Sequence, residues 1–235
     1  MDHCNHKFAM KKIIAFLFTS IVVIGLNAQA KPSTVTDPEA GAILEKAAAK
    51  YRSLNGLQAD FTLTTINPKL KPEDDDSKNT TNMNGQLYMK GKAFKIVISG
   101  NEIYCDGKTI WIYSPKNKEV QINDYQEDQE TFSPTKIFAI YKEGYSYQIK
   151  EKKTYQGKNI TVIELAPVNH KVSFFKIDVG IEDGTNNLME SKVYEKSGVR
   201  YIYKINSLNT ASTINSDFFI FDSKKYLNVK TVDLR

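Results

Sequence analysis

From Leu57 onward the apolar residues of this chain recur with a period of two, and Gly, Pro, Asn and Asp interrupt the pattern at short intervals. Side chains alternate faces along a strand, and tight turns join neighbouring strands, so this pattern specifies an antiparallel meander. Leu57, Ala59, Phe61 and Leu63 alternate with Gln58, Asp60, Thr62 and Thr64 and define a half-buried strand. Strands are then expected at Gly85–Lys90, Ala93–Ser99, Glu102–Cys105, Thr109–Tyr113 and Glu119–Asn123, with Gly91, Gly100-Asn101, Asp106-Gly107 and Ser114-Pro115 between them. Asp106-Gly107 is the clearest hairpin signal, since both central positions of such a turn need positive φ. The polar stretch from Asn67 to Asn84, with the acidic run Glu73 to Asp76, reads as a solvated loop. Further strands are expected at Ser146–Lys152, Asn159–Leu165, Val172–Ile181, Leu188–Glu195, Arg200–Ser207 and Asp217–Phe221, followed by a polar tail from Asp222 to Arg235.

One helix precedes this pattern and a second interrupts it. Asp37-Pro38-Glu39 offers an N-cap, a first-turn proline and an early acid, and Ile43, Leu44, Ala47, Ala48, Tyr51 and Leu54 follow at helical spacing up to Gly56. Ser133-Pro134 opens a shorter helix with Ile137, Phe138, Ile140 and Tyr141 as its apolar content, expected to dock over the sheet as part of a lid. Many short strands with one long and one short helix favour a mainly β fold with α, a strongly curved sheet or incomplete antiparallel barrel around helices.

The first thirty residues read as a secretory leader: Lys11-Lys12, an uncharged apolar run from Ile13 to Leu26, then Ala28-Gln29-Ala30. The run is shorter than the roughly 20 residues of a membrane span. Cleavage is expected after Ala30, and Met10 directly before the basic pair makes residues 1–9 an upstream extension from a misplaced start. No cysteine follows the apolar run, so the processed chain, 31–235, is expected to be one domain free in the periplasm and not lipidated. Losing three leader lysines and one aspartate lowers the formal net charge from +5 to +3. That surplus is slight, and no basic stripe with interleaved aromatics appears, which argues against nucleic acid.

The sequence contains no Gly-x-Ser-x-Gly elbow, Gly-rich phosphate loop, His-Glu-x-x-His or Cys-x-x-Cys. After the leader only Cys105 and His170 remain of their types, Cys105 in the apolar run Ile103-Tyr104-Cys105 and His170 in a loop. No catalytic residue, metal site or cofactor is therefore expected. Large side chains instead fall on both faces of strands, as in Ile96-Val97-Ile98, Ile110-Trp111-Ile112-Tyr113, Ser173-Phe174-Phe175 and Phe218-Phe219-Ile220-Phe221. Either protein covers both faces, or helices cover one face while the other lines a pocket for an apolar ligand. Leu57, Ala59, Phe61, Leu63, Leu87, Met89, Phe94, Ile96 and Ile98 are expected to share the concave side of the sheet.

The segment Asp106-Gly107-Lys108-Thr109-Ile110-Trp111-Ile112-Tyr113-Ser114-Pro115 resembles the hallmark of the outer-membrane lipoprotein carrier family (LolA), which reads Asp-Gly, two variable residues, apolar-Trp-apolar-Tyr, one variable residue and Pro. The surrounding order is similar too: an amphipathic helix, Ala59-Asp60-Phe61-Thr62, Gly85-Gln86-Leu87, Phe94, the Ser133-Pro134 helix and Phe218-Phe219-Ile220-Phe221. This resemblance spans Glu39 to about Asp222. It implies an incomplete barrel closed by helices as a lid, with an apolar cavity that takes up lipoprotein acyl chains and no enzymatic activity. The cavity residues would be Ala59, Phe61, Leu63, Leu87, Met89, Phe94, Ile96, Ile98, Trp111 and Phe138. The implied partners are acylated lipoproteins or other lipids, an inner-membrane exporter and an outer-membrane receptor, met transiently by a monomer. Family members carry an Arg-Pro pair after the Gly-x-Leu strand that holds the lid; here Met89-Lys90-Gly91-Lys92-Ala93-Phe94 has neither residue. The other readings are a carrier of another lipid or glycolipid, a lipid-handling enzyme, and an envelope-stress lipid sensor, whose second C-terminal domain has no counterpart expected before Arg235.

Overall fold

The computed structural model describes residues 36–68, 79–125 and 144–235. The leader and the helix expected at Ser133 to Tyr141, with Phe138, lie outside the described residues.

Helix α1 spans Pro38–Arg52 and begins where the capping signal placed it. The Asp37 carboxylate accepts hydrogen bonds from the amides of Glu39 at 2.8 Å and Ala40 at 3.3 Å, partners that a first turn otherwise lacks. Its buried stripe is Ala40, Leu44, Ala47, Ala48 and Tyr51. Both ends of α1 are tied to the sheet: the amide of Ile149 donates to Asp37 at 3.3 Å, and the amide of Leu188 donates to the Tyr51 hydroxyl at 2.8 Å.

The strands are β1 (Leu57–Ile66), β2 (Thr80–Lys90), β3 (Ala93–Ile98), β4 (Asn101–Cys105), β5 (Thr109–Ser114), β6 (Glu119–Asp124), β7 (Tyr145–Tyr155), β8 (Lys158–Pro167), β9 (Phe174–Glu182), β10 (Leu188–Glu195), β11 (Arg200–Asn209) and β12 (Lys230–Asp233). Among the described residues they form one sheet of twelve strands in the order β12-β6-β5-β4-β3-β2-β1-β11-β10-β9-β8-β7. Two antiparallel meanders, β2 to β6 and β7 to β11, thus meet at β1. The sheet is not closed into a barrel, because its outermost strands, β12 and β7, do not pair with each other. A sheet this wide cannot stay flat, since each strand pair adds a twist of about 20° and open sheets beyond ~10 strands usually curl. A bulge between Asp60 and Phe61, where β1 meets β11, bends it further at its centre.

Three sequence expectations need correction. The loop after β1 ends earlier than Asn84, because β2 starts at Thr80 and pairs with β1 as far as Ile66. Its polar residues suit the solvent face, where the Thr62 hydroxyl bonds Asn84 at 3.0 Å and the Thr64 hydroxyl bonds Asn82 at 2.6 Å. Residues Ser216–Phe219, which overlap the strand expected at Asp217–Phe221, form a 3-10 turn capped by the Asn215 side chain. That turn and Phe221 fold onto the sheet's outer face instead of extending it. The polar tail also contributes structure: Lys230–Asp233 adds β12 alongside β6 in parallel, covering one edge of the sheet.

Candidate functional site

The face of the sheet that carries α1 is apolar across β1 to β5, and strand register makes its rows explicit. One row runs Ala59, Leu87, Ile96, Ile103, Ile112, and its neighbour runs Leu57, Met89, Phe94, Cys105, Ile110. A third begins Phe61, Gly85, Ile98. All eight candidates from β1 to β3 therefore lie on this inner face and belong to one apolar cluster, in which Ile96 is half-buried. The far end of the Phe61 ring sits over β2 at Gly85, where a Cβ would lie 2.4 Å from its Cζ. The glycine of the Gly-x-Leu segment is thus required by a ring, not by a turn. An open depression of about 450 Å³ where β3 turns into β4 is lined mainly by Asp60, Asn84, Gln86, Val97 and Asn206 of the opposite face, and so is not part of this apolar surface.

Trp111 is the candidate that the structure moves away from this site. The Asp106-Gly107 hairpin pairs Cys105 with Ile110 and Ile103 with Ile112, which leaves Trp111 opposite Tyr104 on the other face. There it packs with Tyr104, Tyr113, Val120 and Phe221, under the C-terminal segment. Sequence reasoning also missed inner-face residues. Ile103, Cys105, Ile110 and Ile112 follow directly from that hairpin register, so their signal was present. Tyr203, Ile205 and Leu208 on β11 face Leu63, Phe61 and Ala59, a non-local pairing that no local pattern announces.

The degree of cover varies along the face. Ala59, Leu87 and Ile112 are buried, whereas Ile96 and Ile103, in the same row, keep partial solvent access. Among the described residues this face of β1 to β5 carries no carboxylate, amine or guanidinium. On β11, which borders this face, burial pushes the Tyr201 phenol up to about 12 and also raises that of Tyr203, so both stay neutral at ordinary pH. Ion pairs line the opposite face of β7 to β10, and Lys95 pairs with Glu102 on the opposite face of β3 and β4. Lys150 pairs with Asp178 at 2.7 Å, Lys153 with Glu190 at 2.7 Å and Lys176 with Glu164 at 3.3 Å. No group of three or more His, Cys, Asp or Glu side chains suited to a metal ion occurs among the described residues. Such a surface can exclude water from an apolar chain.

These features define a class: a wide, curled sheet that is open at its edges, with a helix and a continuous apolar surface on one side. Residues 52–222, well over half the chain, match the model of the outer membrane lipoprotein carrier protein LolA, and the chain belongs to that family. No curated protein sequence matches it. Among solved structures, an uncharacterized conserved protein from Thermus thermophilus superposes with a TM-score of 0.54 at 9% identity, covering 82% of this chain and 97% of that one. A LolA superfamily protein from Nitrosomonas europaea is similar at 15% identity and a TM-score of 0.43, covering 77% of this chain and 97% of its own. The lipoprotein LppX of Mycobacterium tuberculosis is similar at 13% identity and a TM-score of 0.48, covering 77% and 100%.

Proposed function

We propose that this protein is a periplasmic carrier that shelters acyl chains against the inner face of β1 to β5 and performs no chemistry on them. The observation that carries this reading is the charge-free apolar row Ala59, Leu87, Ile96, Ile103, Ile112, whose central residues keep access to solvent. Membership of the lipoprotein carrier family and the leader-like N-terminus support it. In the finer form of the proposal the cargo is the acyl group of lipoproteins, received from an inner-membrane exporter and delivered to an outer-membrane receptor.

Physical chemistry supplies the need for such a carrier. Each methylene kept from water is worth about 0.8 kcal/mol, so a multiply acylated molecule meets a barrier on the order of tens of kcal/mol if it crosses water bare. Partial burial on an open sheet lowers that barrier and still leaves a membrane as the better solvent, which permits release.

The test is mass spectrometry of lipids that co-purify with the protein from native extracts. Acyl-bearing molecules enriched over those on an unrelated secreted protein are expected. Their absence from saturated, gently purified protein would remove the carrier reading, and release of free fatty acid from an ester would replace it with an enzyme.

A further inference from the structure

We infer that the turn between Tyr226 and Val229 is a docking point for an anionic lipid bilayer, separate from the inner-face site. Its tip is Leu227, which is 88% exposed although both of its apolar neighbours turn inward. The Tyr226 ring stacks on Phe221 at 5.1 Å and lies 4.4 Å from Tyr113, and its hydroxyl reaches Glu102 at 3.3 Å. Val229 packs into the same cluster. Asn228 adopts φ 56°, which reverses the chain within one residue. Leu227 is therefore held out from a rigid base, flanked by anchored residues on both sides.

The surroundings of this tip are basic. Lys224 and Lys225 precede it and Lys230 follows it, and the Lys230 amide donates to the carbonyl of Lys118 at 2.8 Å. That bond sets the turn carrying Lys116 and Lys118 directly beside it. Lys230 pairs with Glu119 at 3.2 Å and Lys225 with Asp222 at 3.9 Å. Lys116, Lys118 and Lys224 form no ion pair among the described residues. A bulky apolar side chain beside a group of lysines matches the interface of an anionic bilayer, where the leucine enters the headgroup region and the ammonium groups meet phosphates. An acidic protein surface would complement the lysines but gives no place for an isolated leucine.

The experiment is flotation of protein, purified from the soluble extract of cells expressing the whole chain, with vesicles of phosphatidylglycerol and phosphatidylcholine or of phosphatidylcholine alone. Binding to the anionic vesicles, weakened by salt and absent from the neutral ones, is expected. Leu227→Glu should abolish it, and Lys224→Glu should weaken it by about fivefold or more, the contribution of one lysine near a charged surface. Leu234→Glu, at a residue 60% exposed at the opposite end of the strands, should leave binding unchanged. No binding by the unaltered protein, or undiminished binding by Leu227→Glu, would overturn the proposal. Fatty-acid binding measured on the same samples should not change in Leu227→Glu, so this inference and the proposed function fail separately.

Discussion

Gly85 is a glycine because Phe61 lies across it, and this contact ties β1 to β2 at the centre of the sheet. An added methyl would sit within 3.0 Å of three ring atoms of Phe61, so Gly85→Ala must displace the ring. We expect a loss of about 1 to 3 kcal/mol, read as a lower urea midpoint, with partial recovery when Phe61→Leu is combined with it. A Gly85→Ala protein as stable as the original would show that the approach is not tight. A second residue-scale prediction concerns Glu102, which accepts from Lys95 at 2.8 Å, Tyr104 at 2.5 Å and Tyr226 at 3.3 Å. Burial pushes its carboxyl up, but these bonds outweigh burial and hold it below the ordinary glutamate range. Its contribution is thus fully present above the unfolded value of about 4.3 and is lost as pH falls through the depressed folded value. Trp111, the one tryptophan of the chain, packs in this cluster and reports on it. Its emission should hold steady down to about pH 5 and shift below about 4, and Glu102→Gln should remove that step. An identical pH profile for Glu102→Gln would refute the role of Glu102.

At the scale of elements, the sequence was most legible where pairing is local. Asp37-Pro38-Glu39 marked the start of α1, and the turn residues marked β2 to β6, because caps and hairpins are written within a few residues of one another. The alternation from Leu57 correctly placed eight candidate residues on one face. What remained hidden depends on partners distant in sequence. The run Phe218 to Phe221 has the composition of a strand, yet it packs on the outer side of a sheet whose hydrogen bonds are already taken. Tertiary packing therefore overrides local propensity there. Trp111 was misplaced for the same reason: the hallmark motif is apolar on both faces, and only the C-terminal segment explains the second. Phe221→Ala removes a residue 8% exposed that touches Tyr104 and Tyr113 at ring distances of 5.7 and 5.2 Å. A destabilisation of about 3 to 5 kcal/mol is expected by urea denaturation, with a red shift of Trp111 emission. An unshifted emission would mean that the segment does not cover the outer face.

For the whole molecule, the segregation of chemistry between faces decides what the sheet can do. Ion pairs sit on the outer side of β7 to β10, aromatic residues of the C-terminal segment cover the outer side of β3 to β6, and the inner side of β1 to β5 is left apolar. Such an arrangement presents an apolar surface that is continuous with the protein's own core. The most direct test of that claim is titration of a fluorescent fatty acid against the unaltered protein, Ile96→Trp and Ala59→Trp, with urea midpoints for all three. Ala59 is buried, so tryptophan there overpacks and should cost stability of at least about 1 to 3 kcal/mol. Ile96 is half-buried in the middle of the row, so its tryptophan should occupy ligand space at little cost to folding. The expected result is an Ile96→Trp protein with a near-normal urea midpoint and binding weakened by about tenfold or more, equivalent to ~1.4 kcal/mol. Full binding by Ile96→Trp, or no saturable binding by the unaltered protein, would contradict an acyl site on this face.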